Sequence, residues 1–165
     1  MTGAPAGFTF RRGRPADAAA VARVMSAAVR GRVRARLPAR TLQTWASLPP
    51  LYHRWAMTAG GETYLVAERT GQMAGYAAVR GAELTALFVH PRFAGRSLGA
   101  ALVERARRLA RRRGVRTLHA AAAPGALPFY AGLGFRPGRA VRVPLPGGRV
   151  LRAVRVHLSL QVPRW

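Results

Sequence analysis

Leu84 to Gly99 reads LTALFVHPRFAGRSLG: an apolar strand-like run, a His–Pro stop, a loop of small and basic residues, and the opening of a helix. A small-residue loop running into a helix N-terminus gathers several unpaired backbone N–H groups around one point. Those donors, with the positive end of the helix dipole, favour a phosphate or diphosphate. Gly95, Ser97, Gly99 and Ala100 would let an anion approach the backbone, and Arg92 and Arg96 add charge nearby. The same letters also suit an ordinary β–loop–helix joint. Two other phosphate loops are excluded directly. No GxxxxGK[ST] occurs, since the chain has no Lys at all, and GxGxxG is missing after the first predicted strand.

Working outward, the chain is punctuated by Gly and Pro at short intervals, with no repeat and no long linker. A short strand fits Phe8–Arg12, and a helix fits Ala16–Arg30 behind Pro15, with Val21, Val24, Met25 and Ala28 on one face. Arg32–Pro38 reads as a basic connector, and Thr41–Ala46 and Leu51–Ala59 as two short helices parted by Pro49–Pro50. Strands at Thr63–Glu68 and Met73–Arg80 flank a turn at Thr70–Gly71, and Glu83–Val89 follows as a third antiparallel strand. A long helix over Ser97–Arg113 buries Leu98, Ala101, Leu102, Ala106 and Leu109, and Gly114 ends it. A strand at Arg116–Ala121, a short helix at Ala126–Leu133 and a hairpin of Phe135–Val143 with Val150–Leu158 complete the order.

Composition narrows the function classes. At 165 residues the chain suits a single domain, 1–165. No Cys is present, which excludes disulfides, thiolate metal sites and a cysteine nucleophile. Against 28 basic residues, all Arg, stand 5 acidic ones, a formal charge of +23. That bias suits both GC-rich coding and a polyanionic partner such as nucleic acid. No stretch approaches the ~20 apolar residues of a membrane span, and the N-terminal arginines follow too short an apolar stretch for a secretory signal. The expectation is a cytoplasmic protein with no membrane partner. The 4 histidines, His53, His90, His119 and His157, show no metal-ligand spacing, so no metal is expected.

VHPRFAGRSLGAAL, Val89 to Leu102, resembles the V-x-P-x-[YF]-x-G-x-G-x-G-x-x-L segment of the GCN5-related N-acetyltransferases. PFYAGLGFR, Pro128 to Arg136, resembles that family's FY-x-x-x-GF segment about 30 residues later. The similarity covers Phe8 to Leu160 and is greatest to small bacterial members of unassigned substrate. It implies an α/β (α+β) fold: a mixed, mostly antiparallel sheet of about seven strands, helices on both faces, splayed between the fourth and fifth strands. It also implies acetyl-CoA as co-substrate and a primary amine as acceptor. Leu87, Phe88 and Val89 would then hydrogen-bond the pantetheine arm, and Gly95, Arg96, Ser97, Leu98, Gly99 and Ala100 would hold the pyrophosphate. Tyr130 would be the general acid that protonates the departing thiolate. The chain departs from the pattern at Ala94, usually Gln or Arg, at Ser97, a glycine, and at Gly125, commonly Asn.

Amine attack on a thioester needs a proton taken from the attacking ammonium. Glu83 is the candidate base, being one of few carboxylates and opening the strand that leads to the loop; the alternative is a strand-end carboxylate paired with Arg. A phenol near pKa ~10 suits Tyr130 for its role, the alternative being an aromatic packed on the sheet. Trp45, Tyr52 and Trp55 fall where the family walls its acceptor site, or else pack the core. The few acids near those helices favour a neutral or acidic amine over a polycation. Seven arginines between Arg105 and Arg116 suit a solvated helix face or non-specific polyanion binding. Homodimerisation is common in the family. A non-catalytic acyl-CoA-binding or basic nucleic-acid-binding module on the same fold is the alternative function.

Overall fold

Seven strands form one sheet: β1 (Thr9–Arg12), β2 (Thr63–Arg69), β3 (Gln72–Arg80), β4 (Glu83–Val89), β5 (Thr117–Ala122), β6 (Arg136–Pro144) and β7 (Val150–Ser159). Their order across the sheet is β1-β2-β3-β4-β5-β7-β6. The structure is a computed structural model and describes residues 4–33 and 37–161. Every neighbouring pair is antiparallel except β4 with β5. Five α-helices accompany the sheet: α1 (Ala18–Ala28), α2 (Ala39–Ala46), α3 (Pro50–Met57), α4 (Leu98–Arg112) and α5 (Leu127–Gly132). The expected fold class is the one observed.

Helices cover both faces, and each face has its own core. On one side α4 buries Leu98, Leu102 and Ala106 against Ala77, Leu84, Leu118 and Val156. On the other, α1 buries Val21, Val24 and Met25, a helical i, i+3, i+4 set, against Val66, Tyr76 and Ala78. Two expectations need adjustment. The helix expected over Ala16–Arg30 begins with a 3₁₀ turn at Pro15–Asp17 and widens to a π-type turn at Val29–Val33. The first turn is pinned because the Asp17 carboxylate accepts the Arg14 backbone N–H at 2.7 Å and both ends of the Arg11 guanidinium. The second lies where Gly31 passes so close to Pro91 that a Cβ would stand 2.9 Å from the ring. The buried stripe of α4 also takes in Val103 and Ala110, while Leu109 is only half-buried. The expected basic connector over Arg32–Pro38 falls partly on residues 34–36, which lie outside the described residues.

What positions the site is a failure of pairing. β4 and β5 are joined at Glu83–His119 and Leu84–Ala120, and no register pair continues beyond. On its other side β4 pairs with β3 along its length, but Leu84 opposes Val79 and Ala86 opposes Ala78, so Thr85 bulges out. A bulge bends its strand and strengthens the local twist, which turns the far half of β4 away from β5. The result is a gap in the middle of the sheet. Among the described residues no helix is long and apolar enough to cross a membrane.

Candidate active-site cleft

A cleft of about 1050 Å³ runs through that gap. Its wall includes Leu87, Val89, Leu98 and Tyr130 from the α4 face and Trp45, Tyr64, Tyr76 and Phe88 from the α1 face, so it joins the two sides of the sheet. At one end lies the loop between β4 and α4. His90 starts it with a 3₁₀ turn over Pro91–Phe93, capped by its own Nδ1, which accepts the Arg92 backbone N–H at 3.2 Å. Gly95 follows at φ +76° and Ser97 at φ +58°, both left-handed, before α4 begins at Leu98. Ala94 N–H is used locally by Pro91 O, and Ala101 N–H by Ser97 O. Between them the backbone N–H groups of Gly95, Arg96, Ser97, Leu98, Gly99 and Ala100 find no acceptor among the described residues. A run of free donors that turns through left-handed residues into a helix N-terminus is an anion cradle.

Gly95, Ser97, Leu98, Gly99 and Ala100 all border the cleft. Arg96 is the exception: its guanidinium stacks on the Phe93 ring, 5.9 Å from the centroid, and its backbone alone belongs to the cradle. Leu87, Phe88 and Val89 line the middle, where the β5-facing edge of β4 has no strand partner. Gly99 packs closely here, since a Cβ would sit 3.3 Å from the Phe129 ring, which would have to give by a few tenths of an ångström.

Tyr130, on α5, faces the same cleft. Its ring is held edge-on between Phe129 and Phe135 at centroid distances of 5.3 and 5.2 Å. Burial leaves it 7% exposed and pushes its phenol up to about 12, so it is a donor at any physiological pH. Glu83 borders the cleft as well, but its carboxylate accepts the Arg155 Nη1 hydrogen bond at 3.1 Å, the arrangement foreseen as its structural alternative. Trp45 and Tyr52 line the opposite end, whereas Trp55 is half exposed and lies away from it.

Sequence reasoning passed over a polar group beneath the aromatics. Glu62 stands just before β2 with its side chain only 9% exposed, and its partner Arg80 is 3.9 Å away. Burial holds the Glu62 carboxyl above its usual range, while the hydroxyls of Thr85 and Tyr64 and the Arg80 charge oppose that shift. Beside it His53 Nδ1 meets Tyr64 Oη at 3.2 Å, and Tyr64 stacks on Tyr76 with centroids 5.4 Å apart. His53 is buried and its imidazole is depressed to about 4, so it is neutral near pH 7. His53 Nε2, Tyr76 Oη and Thr85 Oγ1 are sealed from solvent without a hydrogen-bond partner among the described residues. The only sequence signal for Glu62 was its rarity as an acid. Among the described residues no group of three or more His, Cys, Asp or Glu is arranged to hold a metal.

Comparison with known proteins bears on this arrangement. A family model described as the acetyltransferase (GNAT) domain matches residues 35–143. Among solved structures, a GCN5-related N-acetyltransferase from Rhodopseudomonas palustris is 26% identical, with TM-score 0.85 over 96% of this chain and 98% of that one. The PaiA N-acetyltransferase from Thermoplasma acidophilum, solved with coenzyme A, is 13% identical, with TM-score 0.76 over 92% and 98% of the two chains. YncA from Salmonella typhimurium, solved with acetyl-CoA, is 24% identical, with TM-score 0.69 over 94% and 95%. No curated protein sequence matches the chain.

Proposed function

The chain belongs to the GNAT acetyltransferase family, and on that premise we propose that residues 1–165 form one cytoplasmic domain that moves the acetyl group of acetyl-CoA onto a primary amine. One observation carries the reading: six consecutive free backbone N–H groups, Gly95 to Ala100, open onto a cleft that leads through the sheet to the phenol of Tyr130. The diphosphate of the co-substrate fits the cradle, which supplies backbone donors and a helix N-terminus rather than fixed side-chain charge. The pantetheine arm fits the unpaired edge of β4 at Leu87, Phe88 and Val89. The thioester then lies in the gap, with the acceptor entering from the opposite face.

Each part has a stated task. Holding both reactants in one gap converts a bimolecular encounter into a local one, worth up to about 7–11 kcal/mol in favourable cases. The edge of β4 that lacks a strand partner near Val89 offers backbone N–H to stabilise the oxyanion as nitrogen attacks, His90 N–H being taken by Ala74 O. Tyr130 donates its proton to sulfur as the C–S bond breaks. Its burial makes the phenol a weaker acid than in water, but the same dry surroundings raise the basicity of a departing thiolate. Glu83, tied to Arg155, is the weaker of the two proposed catalytic side chains.

Release of free thiol from acetyl-CoA across a panel of amines tests the proposal. The expected result is turnover with at least one amine, and heat of CoA binding in calorimetry. Tyr130→Phe should lower kcat on the order of 100-fold while CoA still binds. No thiol with any amine, together with salt-sensitive DNA binding, would instead favour a basic binding module.

A further inference from the structure

The chain is overwhelmingly basic, yet its cleft is not. Of the charged groups that border it among the described residues, two are carboxylates, Glu62 and Glu83, and one is an arginine, Arg80. Five acids face 28 arginines in the whole sequence, so the local excess of negative charge is a reversal of the background. The two carboxylates are not equivalent. Glu83 is bound to Arg155 at 3.1 Å and its side chain is 45% exposed. Glu62 is nine-tenths buried, and its arginine is 3.9 Å away, beyond hydrogen-bond distance.

We propose that Glu62 is where the acceptor's ammonium group docks and gives up its proton, and that the acceptor is a small primary amine with one positive charge and an aromatic or otherwise apolar body. This rests on the acetyl-transfer reading and names its substrate class. An ammonium has three N–H donors. Glu62 has no arginine within hydrogen-bond distance, the hydroxyls of Thr85 and Tyr64 face its carboxylate, and nearby Tyr76 Oη is sealed from solvent with no partner among the described residues. The rings of Tyr52 and Tyr64 beside Glu62 favour a cation over their faces, and Trp45, elsewhere on the same cleft wall, adds apolar surface for the body of the amine. A second positive charge would find no free carboxylate, and would meet Arg80 instead. Thr85 is the residue bulged from β4, so this pocket adjoins the point where the sheet opens toward the thioester.

The proton balance is complete. Glu62 takes one proton from the ammonium and passes it to solvent along the cleft. The freed nitrogen forms the N–C bond to the acetyl carbon, and the C–S bond breaks as sulfur takes the proton of Tyr130. The second nitrogen proton restores the phenol. One proton is released per acetyl group moved. The groups facing Glu62 are Arg80 and Tyr76 of β3, Tyr64 of β2, Thr85 of β4, and Tyr52 and the neutral His53 of α3. Glu62 is the carboxylate of this group, and so the side chain that can accept a proton from an ammonium.

The probe is 2-phenylethylamine, with spermidine as the polycationic comparison. Thiol release with saturating acetyl-CoA should be faster for 2-phenylethylamine than for spermidine. Glu62→Gln should lower kcat/KM for 2-phenylethylamine on the order of 100-fold at pH 7, a loss that shrinks toward pH 10 as free amine becomes abundant. Glu62→Asp should recover part of the rate, and calorimetric CoA binding should be unchanged in both variants, which controls for folding. Full activity and an unaltered pH profile in Glu62→Gln, with wild-type turnover intact, would overturn the assignment and leave the acetyltransferase reading standing. A preference for spermidine would overturn the substrate class. If the wild type released no thiol, calorimetry of 2-phenylethylamine into the CoA-loaded protein decides: binding lost in Glu62→Gln supports the docking site, and no binding to the wild type removes it.

Discussion

Ser97 sits at φ +58° where the family pattern has glycine. A Cβ in the left-handed region costs about 1–2 kcal/mol, and glycine occupies it freely. Ser97→Gly should therefore raise the unfolding free energy by about 1 kcal/mol, read as a higher urea midpoint with unchanged slope. Since the cradle binds through N–H groups, CoA affinity should shift by less than about twofold. A large affinity loss would mean that the Ser97 hydroxyl itself is a ligand. Tyr130 gives a second outcome at this scale. With its phenol near 12, it stays protonated through pH 10, so kcat in wild type should show no alkaline fall between pH 7 and 10. A fall with an apparent pKa near 9 would assign the proton to some other group.

At the scale of elements, the cleft depends on how tightly β3 and α4 clamp the far half of β4. Gly75 pairs with Val89, and a Cβ there would stand 2.9 Å from Phe88 O and 3.2 Å from Leu102 Cδ1. Backbone cannot yield as a side chain can, so Gly75→Ala should cost about 1–3 kcal/mol by denaturant unfolding. Displacing this part of β4 should also weaken CoA binding; native stability and affinity in that variant would show that the clamp is slack. Element order was legible in the sequence because apolar runs and punctuation are local: Glu83–Val89 lies where its apolar run and the His90–Pro91 stop placed it, and the other strands begin or end within a residue or two. The anion loop was legible for the same reason. The bulge at Thr85 was not, since it exists only in the register of β4 against β3. Nor was Glu62, which only the fold brings beside Arg80 of β3 and Thr85 of β4, and whose own neighbours, Gly61 and Thr63, give no hint of it.

Across the whole molecule, charge is the dominant imbalance. All five acids lie within 4 Å of an arginine: Asp17 and Glu68 on Arg11, Glu62 by Arg80, Glu83 on Arg155, and Glu104 between Arg107 and Arg108. The arginine run near α4 is less free than its letters imply. Arg105 lies 3.9 Å over the Phe10 ring, and Arg113 donates to Thr63 Oγ1. A net +23 still opposes compaction. Salt weakens the exposed bridges, worth about 0–1 kcal/mol each, but screens a repulsion summed over many more pairs. Raising NaCl from 0.02 to 0.3 M should thus increase Tm by several degrees; a decrease would mean that the bridges outweigh the repulsion. Acid adds a separate effect through His53. Its folded value, about 4, lies below the unfolded 6.5, so the unfolded chain binds more protons between those limits. Stability contributed by the neutral imidazole is present above pH 6.5 and falls by about 3 kcal/mol as pH drops to 4. Glu62 works the other way, because its raised carboxyl takes up a proton in the fold first as pH falls. Asp17, held low by Arg11, loses its contribution only below about pH 4. The difference between wild-type and His53→Gln unfolding curves isolates the histidine. The wild type's stability relative to the variant should fall steadily from pH 6.5 to 4, and a constant difference would show that His53 takes up its proton as readily in the fold as in the unfolded chain.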